Sequence, residues 1–202
     1  RLEYRGYDSA GLAVLDNQKI EVRREVGKLN KLVTLVEQSP LHGKVGIGHT
    51  RWATHGEPSM CNAHPHVGMT GKVVLVHNGI VENYLELKSE LSAEGAVFKS
   101  ETDTEVIVHL IERNLSNEVT LCEAVRKALC HLKGAHGLVV MSSLEPDKLI
   151  AARIGNAGGV VIGLGEGENY IASDLPAILE HTRRFVFLES RQMAIVSKDD
   201  IQ

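Results

Sequence analysis

The chain has 202 residues, with 22 Lys and Arg against 26 Asp and Glu, and is 43% hydrophobic and 24% charged, the composition of one soluble globular domain or at most two small ones. Its Leu, Ile and Val content excludes low-complexity disorder, its scattered glycines exclude collagen-like order, and a net charge of -4 supplies no basic field for nucleic acid or an anionic membrane. No apolar run reaches the ~20 residues of a membrane span, the start at Arg1 lacks the apolar core of a signal peptide, and Cys61, Cys122 and Cys130 fit neither a disulfide framework nor a C-x-x-C zinc pattern, so the chain reads as cytosolic.

In chain order, Leu12–Leu15 and Lys19–Arg23 alternate apolar and polar residues around Asp16-Asn17-Gln18 and predict a hairpin. Apolar residues at 29, 32, 33 and 36 predict a helix over 28–37 that ends at Ser39-Pro40. Val45–His49 reads as a small-residue strand running into Thr50–His66, which has neither helical nor strand period and holds His55, His64 and His66 beside Arg51 and the only Trp. Lys72–His77 predicts a second strand meeting Asn78-Gly79. Three helices follow: 82–94 with Leu85, Leu87 and Leu91 as its apolar residues, one opened by a Thr102-x-x-Glu105 capping box, and one opened by Thr120-x-x-Glu123 with an apolar stripe at 121, 124, 125, 128, 129 and 132. Beyond Ala135 the pattern turns to strands at 136–141, 148–152, 159–162, 170–172, 185–188 and 193–196, with one short helix near Pro176–Glu180. Strands, three helices and strands again, joined by gaps mostly too short for helical crossovers, predict an α+β layered fold with mainly antiparallel sheets.

Few segments carry chemistry. Gly163-Leu-Gly165-Glu-Gly167 lacks dinucleotide spacing and precedes a strand, so it reads as a hairpin turn; with no P-loop lysine either, no cofactor is expected. His49, His55, His64, His66 and His77 could supply imidazole ligands, but without Cys or carboxylate at defined spacing the pattern points to no metal. The loop after 45–49 is a better candidate for a small polar ligand. Arg51 offers a planar fork for a carboxylate, Thr54 and His55 add hydrogen bonds, and Trp52 can cover the ligand. Asn78 with the Gly79 N–H can form a two-donor oxyanion hole, although Asn-Gly is also the signature of a type I′ turn, which spacing alone favours. Asp103 is either a ligand anion or a helix-dipole partner. The cysteines at 122 and 130 ride on the last helix and read as inert thiols.

Taken in order, Glu3-Tyr-Arg-Gly-Tyr-Asp-Ser-Ala-Gly11, His49-Thr-Arg-Trp-Ala-Thr-His-Gly56, Asn62-Ala-His-Pro-His66, His77-Asn-Gly-Ile80, Ser100-Glu-Thr-Asp-Thr-Glu105 and Ile171-Ala-Ser-Asp174 resemble the glutaminase domain (class II glutamine amidotransferase) of the glutamine–fructose-6-phosphate aminotransferases, the glucosamine-6-phosphate synthases. The resemblance spans essentially residues 1–202. It implies an N-terminal-nucleophile (Ntn) hydrolase fold, an αββα four-layer sandwich with antiparallel sheets. It implies hydrolysis of L-glutamine to L-glutamate through a thioester on an N-terminal cysteine, with ammonia passed to sugar-isomerase domains that act on fructose 6-phosphate, in a homodimeric full enzyme. By matched motif, Asn78 and Gly79 are the oxyanion hole, Arg51 with Thr54 and His55 takes the glutamine α-carboxylate, Asp103 takes the α-ammonium, Trp52 belongs to the closing loop and Arg5 lies near the nucleophile. Against that pattern the chain begins after the nucleophilic cysteine and the first strand and helix, and stops before the isomerase domains, so it is expected to be inactive alone. Cys61, without a free α-amine, is not expected to substitute. Asn156-Ala-Gly-Gly159 departs from the family's usual Ser-Pro, which affects only a local turn. Two rival readings are a sister Ntn amidotransferase, such as the phosphoribosyl-pyrophosphate amidotransferase, and a non-catalytic glutamine- or metal-binding module.

Overall fold

A computed structural model describes residues 1–202. The predicted hairpin forms from β1 (Ser9–Asp16) and β2 (Lys19–Val26), closed by Asn17 and Gln18, both at positive φ (45° and 66°), the backbone that a two-residue turn of the right twist demands. It is followed by α1 (Leu29–Gln38), β3 (Val45–Arg51), a two-residue β4 (His66–Val67) and β5 (Val73–Gly79). The helices α2 (Tyr84–Ala93), α3 (Glu105–Asn114) and α4 (Leu121–Leu129) precede β6 (His136–Ser142), β7 (Lys148–Ile154), β8 (Val161–Leu164), β9 (Asn169–Ala172), β10 (Phe185–Phe187) and β11 (Gln192–Ser197).

All strand pairing is antiparallel, in sheets of order β11-β7-β6-β5-β4, β2-β1-β3 and β10-β8-β9. Alternation along the central strands decides the layers. Val73, Leu75, Leu138, Val140 and Ile150 face α2, α3 and α4 and join Ile107, Leu110, Ile111 and Val125 in the main core. Val74 and Met141, one step out of phase, face Ala13, Leu15 and Ile47 of the β1–β3 sheet, while Ala151, Ala194 and Val196 face Val160 and Ile162 of the small sheet. Both smaller sheets therefore lie on the same face of the five-stranded sheet. On the outside of β2, Arg23 reaches Ser39 at the end of α1 through Oγ (2.9 Å) and the carbonyl oxygen (3.3 Å). The result is helices, sheet, sheets and helix, the α+β order expected of the sequence. No helix is long and apolar enough to cross a membrane.

Several local expectations are corrected. Thr102 does not cap α3: the N-cap is Thr104, without a side-chain cap bond, and Glu105 instead accepts the amides of Lys99 (2.8 Å) and Ser100 (2.7 Å). The box pattern is met in sequence, but Thr102 is drawn to His66, 3.1 Å from its hydroxyl. Thr120 does cap α4, accepting from the Glu123 amide at 3.2 Å. Leu85 and Val33 are exposed, since only Leu87 and Leu91 of α2 and Leu32 of α1 turn fully inward. The helix expected near Pro176–Glu180 is a single 3-10 turn, Leu175–Ala177.

Candidate active site

The candidate site forms where β3, β5 and the start of α3 end side by side. A cavity of about 240 Å³ there is lined by Arg5, Arg51, Trp52, Thr54, Asn78, Gly79 and Asp103, seven of the eight residues singled out in the sequence. The eighth, His55, does not line it: its ring stands behind Asp103, with Nδ1 4.0 Å from Oδ1, and its edge meets Tyr84. The His55 carbonyl does reach the site, as an acceptor for Arg51.

Arg51 is 5% exposed and closes β3, opposite Ser9. Its Nη2 donates to the carbonyls of His55 and Gly56, the latter at 3.0 Å, so the loop after β3 is wrapped onto the guanidinium. Nη1 is buried without a hydrogen-bond partner, with the nearest carboxylate, Asp8, at 3.9 Å. Burial lowers the Arg51 pKa from its ordinary value, against the opposing pull of Asp8 and Asp103, and a guanidinium so placed stays charged. Asp103, 3% exposed, accepts the Val81 amide at 2.7 Å. That bond ties the anion to the chain two residues beyond Gly79.

Asn78 and Gly79 do not form a turn. They extend β5 and pair with Gly137 and His136 of β6, so the expectation drawn from spacing alone gives way to sheet register. Gly79 has φ +144°, and a Cβ there would overlap the Ala135 carbonyl, so glycine is required by both backbone and space. Gly158, at φ +57°, leaves room for the Asn78 amide, since a Cβ would come within 2.8 Å of Nδ2. The Asn156–Gly159 segment thus bears on the site more directly than a local turn would.

Behind these residues lies a cluster of buried histidines. The rings of His49 and His64 stack at 4.2 Å, and His64 meets His66 edge-on at 4.7 Å. His77 bonds Thr104 through Nδ1 (2.9 Å) and His136 through Nε2 (3.1 Å), and its backbone amide donates to His64 Nδ1 (3.3 Å). Burial, then the nearby positive charges, lowers His49 to about 4 and His66 to about 3, with His64 and His77 also well below the usual value. The rings are neutral at neutral pH and act as polar packing. No group of three or more His, Cys, Asp or Glu side chains converges as metal ligands.

Sequence reasoning passed over Asp8, Thr104 and Asp174 as individual site residues and weighed His77 only as a metal ligand. Asp8 accepts the Ala53 amide and anchors the loop carrying Trp52, while Asp174 holds Tyr4 (2.5 Å) and Arg5 (3.3 Å). All four lie inside the motifs quoted above, which is the signal that could have found them. Trp52 is 62% exposed, and its ring meets that of Tyr7 at a tilt, centroids 5.4 Å apart. A second cavity shares Arg5, His49, Thr50, His77 and Asn78 with the first and continues between β3 and β9, each the last strand of its sheet. None of the three cysteines lines either cavity.

Residues 49–180, which carry most of this site, match the family described as the glutamine amidotransferase domain. The chain belongs to that family. The amidotransferase domain is 55% identical over 202 residues to the glutamine–fructose-6-phosphate aminotransferase (isomerizing) of Escherichia coli K12, covering all of this chain and 32% of that protein. It is 52% identical over 199 residues to the protein of the same name from Pyrococcus horikoshii, covering 98% of this chain and 33% of the relative. The domain thus spans about a third of the length of the curated relatives it matches. Among solved structures, the glutamine phosphoribosylpyrophosphate amidotransferase of B. subtilis superposes with a TM-score of 0.83 at 29% identity, over all of this chain and 43% of that one. The α+β architecture of the amidotransferase domain is therefore that of the Ntn amidotransferases.

Proposed function

We propose that the domain is the glutaminase part of a glutamine–fructose-6-phosphate aminotransferase, releasing ammonia from L-glutamine for amination of fructose 6-phosphate by a C-terminal sugar-isomerase part. The observation that carries this is the placing of one fixed cation, Arg51, and one fixed anion, Asp103, on the cavity that also presents Asn78 and Gly79. An α-amino acid is a zwitterion, and a site for its chemistry needs two opposite charges at one end and carbonyl-activating donors at the other.

The free Arg51 Nη1 takes the α-carboxylate as a charge-assisted bond, and Asp103 takes the α-ammonium. The side-chain amide then lies toward Asn78, whose Nδ2 with the Gly79 N–H stabilises the oxyanion formed when a thiolate attacks. Collapse of that intermediate breaks the C–N bond; the proton removed from the thiol goes to the leaving nitrogen, ammonia departs and a thioester remains for water to hydrolyse to glutamate. Cys61, Cys122 and Cys130 lie elsewhere, so this reading takes the thiol from outside residues 1–202, entering along the groove between β3 and β9. Identity of 50–55% to the aminotransferases against 29% to the phosphoribosylpyrophosphate enzyme favours the former parent.

Titration of the 202-residue chain with glutamate, followed by Trp52 fluorescence, tests the site. Binding is expected to weaken about 100-fold in Arg51→Met, from loss of roughly 3 kcal/mol of charged hydrogen bonding, with no ammonia released from glutamine by either protein. Equal affinity in the two proteins, or glutamine hydrolysis by the chain alone, overturns the assignment.

A further inference from the structure

Strand β2 alternates Ile20, Val22, Arg24 and Val26 on one face, and Ile20 and Val22 pack into the core between the sheets. Arg24 breaks that apolar face. Its partner across the hairpin is Gly11, where a Cβ would overlap the His64 carbonyl oxygen first and would also come within 3.0 Å of Arg24 Cγ, so the arginine stem lies close across β1. The stem delivers the guanidinium to a cavity of about 440 Å³ on the far side of His66 from the glutamine site. Arg24 Nε is buried without a partner, and no carboxylate comes within ion-pair distance of the group.

The one carboxylate lining this cavity is turned away. Glu105 accepts the Lys99 and Ser100 amides and the Ser100 hydroxyl (2.6 Å), with His109 Nε2 at 3.6 Å. Although burial opposes ionisation, these donors hold it at about 2, so it is anionic and saturated. Lys99 stands exposed at the mouth. The lining therefore carries two cations and one anion, a surplus of one positive charge. That surplus suits a monoanion and disfavours a dianion, which Glu105 repels. The remaining wall is formed by Val22, Met60 and Val67 with the Cys61 thiol and the neutral ring of His66.

We propose that this cavity binds a small organic monocarboxylate, with Arg24 taking the carboxylate and Val22, Met60 and Val67 taking its aliphatic body. A half-buried guanidinium without a partner is costly to the free protein, and a fork-to-fork carboxylate repays that cost. The site is independent of the glutamine reading, because it shares no lining residue with that cavity.

The test is titration of the 15N-labelled 202-residue chain with sodium butyrate at constant ionic strength, followed by amide shifts and thermal midpoint. Butyrate is expected to bind saturably, to move the amides of Val22, Cys61, Val67 and Lys99, and to raise the midpoint. Arg24→Met is expected to weaken binding at least tenfold and to melt higher than wild type without ligand, because its unpaired charge is gone. Lys99→Gln is expected to weaken binding roughly two- to fivefold, as for an exposed charge, and keeps the test decisive should Arg24→Met fail to fold. Arg51→Met is expected to leave butyrate binding intact. Shifts confined to Arg51 and Asp103, binding unaffected by Arg24→Met or Lys99→Gln, sulfate binding more tightly than butyrate, or no saturable binding at all would each overturn the proposal.

Discussion

Lowering the pH from 7.5 to 5.5 should unload the histidine cluster behind the site. In the unfolded chain each imidazole titrates near its ordinary value of about 6.5; in the folded chain His49 is held at about 4 and His66 at about 3 by burial, and His64 and His77 are also well below normal. A histidine whose folded pKa is depressed favours folding at high pH, and that contribution is lost as pH falls below 6.5 toward the folded value, because the unfolded state binds more protons. At pH 5.5 His49 and His66 each cost about 1.4 kcal/mol relative to pH 7.5, about 3 kcal/mol together, a large share of the stability of a small domain, and His64 and His77 add to the loss in the same direction. His136, lowered by burial as well, acts in the same direction. Glu105, held at about 2, is nearly silent in this window, since its loss begins only as pH falls through the ordinary carboxylate range. Urea unfolding at pH 7.5, 6.5 and 5.5, with the slope checked for constancy, measures the loss. A fall of less than about 1 kcal/mol by pH 5.5, or uptake of fewer than about one proton on unfolding there, would show that the rings are not buried as neutral groups.

Two further substitutions separate fold from chemistry. Gly79→Ala forces a side chain into φ +144° and onto the Ala135 carbonyl, and is expected to cost about 2 kcal/mol or more in urea unfolding; a change under 0.5 kcal/mol would contradict the strand-end geometry. Asp103→Asn keeps an acceptor for the Val81 amide while removing the charge, so stability should change by less than about 1 kcal/mol while glutamate binding falls roughly tenfold or more; calorimetric affinities equal to wild type would remove Asp103 from the α-ammonium role.

Much of this was legible because local chemistry and global fold agree at particular residues. Asn17-Gln18 is flanked by matching alternation, and Thr120 precedes a stripe whose buried members are Leu121, Ala124, Val125, Ala128 and Leu129. Disagreement arose where tertiary partners outbid local ones. Thr102-x-x-Glu105 satisfies a capping box in sequence, yet His66 and the Ser100 segment claim its side chains. Asn78-Gly79 has turn chemistry, but the register with Gly137 and His136 keeps it extended. The two-residue β4 is too short to show a period. Of the site, the ligand-facing charges were visible as residue types in motifs, whereas Asp8 and Asp174 hold other groups in place across 45 and 169 residues of chain, to Ala53 and Arg5, contacts that no local pattern encodes.

The guanidinium of Arg51 is only half engaged: Nη2 is committed to its own loop, while Nη1 is buried with nothing to donate to. Such a group selects by refusal. A ligand that keeps the glutamine side chain but replaces its α-carboxylate with an amide or ester fills the same space and leaves Nη1 stripped of water without an anion. Sites built around a polar contact reject analogues lacking it far more strongly than apolar pockets reject a missing methylene. With Arg51 as the proposed carboxylate clamp, discrimination between free glutamine and glutamine within a peptide is expected to reside less in the size of the cavity than in one unsatisfied nitrogen on its wall.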